Sequence, residues 1–257
     1  MKPYAFTGQP LSQHIKGVVE RTEKIIKSGY CETAYRRLKY AGLELDRETL
    51  YETILASAVF HDVGKAVEYY QKQFSDDGRC LDDKDPSFYL HEILSAIYFD
   101  RFLSKNSRWS YGLKILATLA VLNHMHSLRD YGKKLNIFNP LDYKQHRELR
   151  ILDGATISQS DLDNLVETMV AYDLDEEDLR QFLTRKISMN DVISMGNKIQ
   201  NFESQNKTVR LYNLILLPVV VGDVLDAAKN RRDDKISANR RAFILELSHC
   251  LGDDGFE

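Results

Sequence analysis

Apolar residues recur at helical spacing along nearly the whole chain, and this period restricts the possible fold more than any other feature. In the first such segment, Leu11, Ile15 and Val18 mark one face of a helix. Only five prolines interrupt the 257 residues, which allows long uninterrupted helices. No segment shows a convincing alternating pattern of the kind typical of a β-strand. The sequence therefore predicts an all-α fold.

One internal stretch differs in character from the rest. Between about 131 and 207 the chain is richer in Asp, Glu, Asn and Gln, and the helices predicted near 161–171, 175–186 and 190–202 have weaker apolar faces. We interpret this stretch as a helical insertion that covers one side of the core. Residues 1–257 are therefore expected to form a single domain, a helical bundle that contains the insertion.

Charge, cysteine content and hydropathy exclude several classes of protein. The formal net charge of -3 is unlike that of a general nucleic-acid binder, so any phosphate contact must come from a local basic patch. The three cysteines are odd in number and far apart, which predicts no disulfide framework and a reducing cytoplasm. The longest apolar run, 211–222, is too short to span a bilayer and predicts a buried helix rather than a membrane contact. No phosphate-binding loop of an NTP-driven motor occurs in the sequence.

Several ionisable residues fall on the apolar stripes of different predicted helices. They are His14, His61, His91, His124 and Asp223. Taken alone, a histidine on such a face is more often a hydrogen-bonded core residue than a ligand, and an aspartate near a helix end is more often a cap. Five of them on five helices, with Asp62 beside His61, indicate a shared role, because buried charges persist when they are paired or bind a metal.

The residue types favour a divalent metal. Imidazole nitrogens and carboxylate oxygens suit Mn, Fe, Co, Ni or Zn, and the absence of thiolates argues against a purely structural zinc site. Adjacent residues on a helix differ by about 100° in direction, so His61 and Asp62 can flank one metal. Asp62 has two oxygens and can also bridge to a second metal. Two cations roughly 3.5–4 Å apart would clamp a phosphodiester and activate a water, which predicts phosphoester hydrolysis.

The order H…HD…D, formed by His14, His61, Asp62 and Asp223, resembles the HD superfamily of metal-dependent phosphohydrolases. One branch is more similar: PLSQHIKGV, FHDVGKAVEYYQKQF, HEILSA, VLNHMHSL and GDVLDAAK look like the nuclease domain of the CRISPR-associated type I interference nuclease-helicase. These motifs span residues 10–229, most of the chain. The HD dipeptide is moderately specific, whereas H-D-x-G-K with the aromatic-rich helix and HEILSA is much more so.

This resemblance implies metal-dependent cleavage of single-stranded DNA, with RNA and R-loop strands as further substrates. The implied ligands of the first metal are His14, His61, Asp62 and Asp223. Asp62 would bridge to a second metal held by His91 and the histidines near position 124. The implied cofactor is one or two ions of Mn, Fe, Co or Ni, with Mg and Zn also compatible. The length and the missing motor motifs suggest the stand-alone form, which would work beside a separate CRISPR helicase subunit and an RNA-guided surveillance complex.

Two positions leave alternatives open. The family usually has adjacent histidines where this chain reads His124-Met125-His126. Residues two apart on a helix differ by about 200°, so His124 and His126 can both reach one metal only if the helix ends or distorts there. Lys65 either complements the dipole of a preceding helix end or, as the family phrase implies, contacts the scissile phosphate.

Other polar residues also have two interpretations. Asp226 lies one turn after Asp223, outside the family's matching position, and is expected to be solvated or to support a ligand from behind. Glu92 either orients His91 or lies on the surface. The basic run 229–241 is either a solvated face or a guide for a nucleic-acid backbone through residues such as Arg231, Arg232 and Lys235. His146 and His249 are expected to be structural or exposed.

Two rival functions compete with a nuclease. A hydrolase of nucleotides or cyclic dinucleotides, the commoner activity of HD proteins, would keep the metal site and require a closed, base-recognising pocket. An open groove bordered by Arg231, Arg232 and Lys235 would favour the nuclease instead. A non-catalytic scaffold that recruits other CRISPR proteins is the third hypothesis, and the intact ligand set weighs against it. Preference for endo- or exonucleolytic cleavage stays open.

Overall fold

The computed structural model describes residues 2–82, 85–125 and 151–230. Helices form most of this part of the chain, which confirms the predicted all-α class. In order they are α1 (Leu11–Ile25), α2 (Cys31–Tyr40), α3 (Arg47–Phe60), α4 (Glu68–Gln71), α5 (His91–Lys105), α6 (Tyr111–Leu122), α7 (Gln159–Val170), α8 (Glu176–Leu183), α9 (Met189–Gln205) and α10 (Asn213–Asn230). Short 3-10 turns at Val63–Ala66 and Val209–Tyr212 precede α4 and α10.

A small antiparallel hairpin precedes α1, where no strand was expected. Its strands are β1 (Tyr4–Phe6) and β2 (Gln9–Pro10), and Gly8 supplies the positive φ of 74° in the turn. Strands of three and two residues are too short for an alternating pattern to be visible in the sequence. The hairpin matters for the site because it places Gln9 immediately before α1.

The contact between α1 and α10 brings together the first and the last helix of the described part of the chain. Gly222 allows it, because a Cβ at that position would come within 2.8 Å of the Val18 carbonyl oxygen. Thr22 Oγ1 donates to the Pro218 carbonyl oxygen at 3.2 Å. Pro218 lacks the N–H that would bond the carbonyl of Leu214, and the Tyr30 hydroxyl donates to that carbonyl at 3.0 Å instead. The proline is therefore accommodated inside the helix.

In the sequence, Asp46 precedes the third predicted helix and Gly64 follows it, and these residues predict a cap and a C-terminal stop. Asp46 caps α3 as predicted, since its Oδ1 accepts from the Thr49 backbone N–H at 2.7 Å. The prediction that Gly64 ends that helix was wrong, because α3 ends at Phe60 and Gly64 lies in the following 3-10 turn. A Cβ on Gly64 would stand 2.2 Å from the His91 carbonyl oxygen, so glycine is needed there for close approach to α5.

The helices α7 to α9 pack onto the same core as the rest of the described chain. Their buried residues, among them Leu165, Leu179 and Val192, join one hydrophobic cluster with α5 and α6. The Arg101 guanidinium donates to the carbonyl oxygens of Arg185 and Lys186 at 2.8 and 3.0 Å. The helix bounds agree with the predicted ones within a few residues. The interpretation of 131–207 as an insertion within a single domain stays a prediction. The first part of this stretch lies outside the described residues, and so does 236–251, where the sequence predicts a further helix.

The stretch Val209–Asn230 has the length and apolar composition of a membrane-crossing helix, with a hydropathy of 1.7. It is longer than the apolar run 211–222 considered in the sequence, because the helix continues to Asn230. Core helices of soluble proteins have the same properties. Since α10 packs on α1 and presents Asp223 and Asp226 towards His14, we interpret it as a core helix.

Candidate metal centre

The HD dipeptide lies where the chain leaves α3. His61 still has helical dihedrals, but Asp62 has φ -115° and ψ 6° and opens the 3-10 turn. The expectation that both residues belong to one regular helix was therefore wrong. The turn is fixed to α5 by the Gly64 N–H, which donates to Ser95 Oγ at 2.8 Å. This anchoring holds the Asp62 side chain between helices from both halves of the described chain.

One cluster of ligand atoms surrounds Asp62 Oδ2. His14 Nε2, from α1, lies 3.0 Å from this oxygen and 3.3 Å from Oδ1 of Asp223 on α10. His61 Nε2 lies 3.3 Å from His14 Nε2, 3.5 Å from Asp62 Oδ2 and 4.0 Å from Asp223 Oδ1. Four residues predicted to share a metal are thus brought together by three separate segments.

A second cluster surrounds the other oxygen of Asp62. His91 Nε2 lies 2.9 Å and His124 Nε2 3.4 Å from Asp62 Oδ1, and the two nitrogens are 3.2 Å apart. His91 is the first residue of α5 and follows Leu90, a buried residue held at φ 70°. His124 was expected on the apolar stripe of α6 but lies in the turn beyond the helix end at Leu122. The helix therefore ends before this motif, and His126 lies outside the described residues.

All four histidines are fixed through the ring nitrogen that faces away from Asp62. The Nδ1 atoms of His61, His91 and His124 lie 2.7, 2.6 and 2.7 Å from the carbonyl oxygens of the residues three positions earlier. His14 Nδ1 lies 2.8 Å from Asp226 Oδ2. Since a carbonyl or carboxylate oxygen accepts, each Nδ1 carries the proton. Each Nε2 therefore faces the carboxylates, and in the neutral form of the ring its lone pair points at them.

This arrangement fits divalent cations. Asp62 Oδ1 is buried and accepts no hydrogen bond within the described part of the chain, although two imidazole nitrogens face it. Lone pairs directed at a carboxylate oxygen repel it unless a proton or a cation lies between them. Ligand atoms about 2.1 Å from one ion stand roughly 3–4 Å apart, which agrees with both clusters. Each cluster could therefore hold a divalent cation, and Asp62 offers one oxygen to each.

The buried environment shifts the pKa values in opposite directions. Burial disfavours the charged form of His14, but hydrogen bonds to Asp223, Asp226 and Asp62 outweigh it and raise the pKa of His14 to about 10. Burial dominates at His61 and lowers its pKa to about 4. Burial opposes the ionisation of both carboxylates. The pKa of Asp62 is nevertheless held well below its usual value, mainly by the Lys65 charge, and the pKa of Asp223 is lowered by His14. Both carboxylates are therefore ionised.

Asp226 contacts the ring nitrogen of His14 that faces away from Asp62. The alternative that Asp226 is solvated was wrong. It is 2% exposed and accepts hydrogen bonds from Gln9 Nε2 at 2.8 Å and Arg21 Nη1 at 3.0 Å, besides His14. Neither Gln9 nor Arg21 was predicted from the sequence to contact the site. The spacing of Arg21, two helical turns after His14, was a usable signal for a shared face.

Lys65 and Glu92 are both buried beside the centre. Lys65 Nζ donates to Asp62 Oδ2 at 2.5 Å and lies 5.2 Å from the centroid of the Phe88 ring. Its positive charge therefore adjoins the first cluster. Glu92 is 1% exposed, so a surface position is wrong, and its Oε2 lies 3.4 Å from His91 Nδ1.

The centre opens to solvent at Asp223, whose side chain is 21% exposed while those of His14, His61 and Asp62 are at most 1% exposed. A cavity of about 580 Å³ adjoins the second cluster and is lined by His124, Asn123, Arg37 and apolar residues of α10. The proposed nucleic-acid contacts Arg231, Arg232 and Lys235, and the histidines at 146 and 249, lie outside the described residues.

Comparison with known proteins agrees with the resemblance seen in the motifs. A scan against family models matches none. The CRISPR-associated endonuclease Cas3-HD of Saccharolobus solfataricus is 29% identical over 249 residues, which cover 96% of this chain and 98% of that protein. The protein of the same name from Methanocaldococcus jannaschii is 27% identical over 261 residues, covering 96% of both chains. Along nearly its whole length, the chain is therefore similar to CRISPR-associated Cas3-HD endonucleases.

A solved structure has a similar fold. The solved structure of the CRISPR-associated Cas3 HD domain protein from Methanocaldococcus jannaschii superposes with a TM-score of 0.55 at 23% identity, over 85% of this chain and 99% of that one. The described helices therefore form an HD fold. The relatives are named endonucleases, which supports a CRISPR-associated HD nuclease, and the His/Asp clusters could bind a divalent metal.

Proposed function

We propose that this chain hydrolyses single-stranded DNA using two divalent cations held by His14, His61, Asp62, Asp223, His91 and His124, with His126 as a further ligand of the second. The observation that carries the proposal is that the two oxygens of Asp62 face different sets of histidines. Cations bound there would supply an activated water and neutralise charge on the phosphate. The mixed nitrogen and oxygen ligands favour Mn, Fe, Co or Ni, and are compatible with Mg and Zn.

The side chains around the centre have distinct roles in this proposal. Asp62 fixes the spacing between the two cation positions because one carboxylate serves both. Lys65 adds a positive charge beside the first position, where it would face negative charge developing on the phosphate. The Nδ1 hydrogen bonds keep the imidazoles oriented, so the ligand set needs little rearrangement before reaction.

The depth of the centre supports a single-stranded substrate. Asp62 is 1% exposed, and the way in passes the partly exposed Asp223. The backbone of a rigid duplex cannot easily bring a phosphate to buried ligands, whereas a flexible single strand can. The same argument admits RNA and the displaced strand of an R-loop. The basic residues that we propose to guide the strand are Arg231, Arg232 and Lys235.

We further propose that a separate CRISPR helicase subunit supplies the single strand, in the cytoplasm and beside an RNA-guided surveillance complex. The sequence carries no motor motif, and its relatives named Cas3-HD match it along nearly their whole length. Cys31 and Cys80 are free thiols, which suits a reducing compartment.

The proposal is tested with metal-free protein to which one divalent metal is returned at a time. Substrates are circular single-stranded DNA, duplex DNA, RNA, mononucleotides and cyclic dinucleotides. We expect cleavage of the circular single strand, and Asp62→Asn should lower the rate about 10³-fold, since several kcal/mol of stabilisation are lost. Asp191→Asn, at a half-buried carboxylate on α9, is the matched control. Full activity of Asp62→Asn, or hydrolysis of nucleotides alone, would overturn the proposal.

A further inference from the structure

The ring nitrogen of His14 that faces away from the metal centre has a carboxylate as its hydrogen-bond partner, whereas those of the other three histidines have backbone carbonyl oxygens. His61, His91 and His124 direct Nδ1 at backbone carbonyl oxygens within 2.7 Å. For His14 the partner is Asp226 Oδ2 at 2.8 Å. A carboxylate at this position makes an imidazole a stronger ligand than a carbonyl does and fixes its orientation.

Asp226 is itself held by contacts that oblige both of its oxygens to accept. Oδ1 accepts from Arg21 Nη1 at 3.0 Å and from Asn230 Nδ2 at 3.1 Å, while Oδ2 accepts from Gln9 Nε2 and His14. Gly17 leaves room for this, because a Cβ there would lie 1.9 Å from Asp226 Oδ1. The position is thus built for a carboxylate.

We propose that Asp226 is a positioning residue that makes the first cation site, which contains His14, bind more tightly than the second. This inference rests on the proposed two-cation centre. The first site also has two carboxylates, Asp62 and Asp223, against the single shared carboxylate of the second. Occupancy is therefore sequential, with the His14 site filling at the lower metal concentration.

Replacing Asp226 by asparagine has a specific consequence. Arg21 is always protonated and donates, so the amide oxygen must take the Oδ1 position. The amide NH2 then faces His14 Nδ1 and donates to it, which moves the ring proton to Nε2. Gln9 accommodates the exchange by turning its amide, since its Oε1 is buried without a hydrogen-bond partner in the described structure. The metal-binding nitrogen of His14 becomes an N–H.

The test measures metal affinity rather than activity. In a His124→Ala background, which leaves the first site intact, Mn²⁺ binding is measured by calorimetry with and without Asp226→Asn. We expect the affinity to fall about 10–100-fold, the range for loss of a residue that supports a ligand. Nitrogen-15 NMR of the metal-free Asp226→Asn protein should show His14 protonated on Nε2 and not on Nδ1. Asp191→Asn in the same background is the matched control.

A rescue variant separates positioning from a general loss of structure. Adding Arg21→Met to Asp226→Asn removes the obligatory donor, so the amide can turn its oxygen towards His14 Nδ1 and part of the affinity should return. If Asp226 had only a structural role, adding Arg21→Met would lower the metal affinity further instead. If Asp226→Asn does not fold, the comparison of His124→Ala with His14→Ala still applies, and the former should bind Mn²⁺ more tightly.

The outcomes are distinguishable. Wild-type protein that binds no divalent metal refutes the proposed function itself. Wild-type protein that binds two ions, with equal first-site affinity before and after Asp226→Asn, overturns this inference alone. An equal loss in the Asp191→Asn control, or no rescue by Arg21→Met, also overturns it.

Discussion

Gly64 lies directly against His91, since a Cβ on Gly64 would stand 2.2 Å from the His91 carbonyl oxygen and 2.8 Å from the Ser95 backbone nitrogen. The turn that carries Asp62 and the start of α5 are thus in backbone contact. This contact sets the separation between Asp62 and His91, whose ligand atoms are 2.9 Å apart.

Gly64→Ala should therefore separate the two ligand sets as well as destabilise the fold. We expect a loss of about 1–3 kcal/mol, because neither backbone can yield easily, and weaker binding at the second cation site. Thermal denaturation and calorimetric metal titration measure the two effects. Gly112→Ala is the control, since a Cβ there meets its nearest neighbour, in the Phe202 ring, at 3.6 Å. Wild-type stability and metal affinity in Gly64→Ala would contradict the contact.

Lys65→Met should destabilise the metal-free protein more than the metal-loaded protein. Without the ammonium group the buried Asp62 carboxylate loses its nearest positive charge, at 2.5 Å, and such losses cost about 3–5 kcal/mol. Bound cations would supply the missing charge and reduce the difference. The measurement is chemical denaturation with and without Mn²⁺.

The control for this prediction is Lys198→Met. Lys198 pairs with Asp100 at 2.7 Å but is 37% exposed, so its loss should cost about 0–1 kcal/mol whether or not metal is present. If added Mn²⁺ leaves the deficit of Lys65→Met unchanged, Asp62 does not face a cation.

Removing a ligand of the second cluster and removing the ligand shared by both clusters should change the metal stoichiometry in different ways. His124→Ala is expected to keep one tightly bound ion and lose the second, because the first cluster does not use His124. Asp62→Asn should weaken both sites, since it contributes to both. Metal content after gel filtration, measured by elemental analysis, distinguishes these cases. Loss of both ions in His124→Ala would show that the sites are not separable.

The ionisation of Asp191 should contribute to the loss of folding stability in acid. Burial opposes its ionisation, but hydrogen bonds from Ser188 and the ion pair with Arg101 at 2.9 Å lower its pKa in the folded protein. A lowered folded pKa gives stability that is present above the unfolded value, near pH 4, and is lost as the pH falls further. Asp191→Asn should therefore cost about 1–2 kcal/mol at pH 7, as for lost caps, and much less at pH 3. A pH-independent difference would refute this assignment.

The sequence predicts which residues form the site better than it predicts the backbone conformation and the contacts around them. The helical period places His14 and Asp223 inward, and the HD dipeptide identifies His61 and Asp62, because these signals are local. The turn after Phe60 was missed because it depends on Gly64 meeting α5, a contact between segments 27 residues apart. The role of Asp226 was missed because its partners Gln9 and Arg21 lie more than 200 residues earlier. No local pattern reports such contacts.

The raised pKa of His14 makes this centre hold an additional proton when no cation is bound. With its pKa raised to about 10, His14 is doubly protonated at neutral pH and its Nε2 proton occupies the first cation position. Cation uptake there must displace that proton into solution. The measured heat of binding will therefore vary with the ionisation enthalpy of the buffer, and the apparent affinity will increase with pH, even though every ligand already points at the ion.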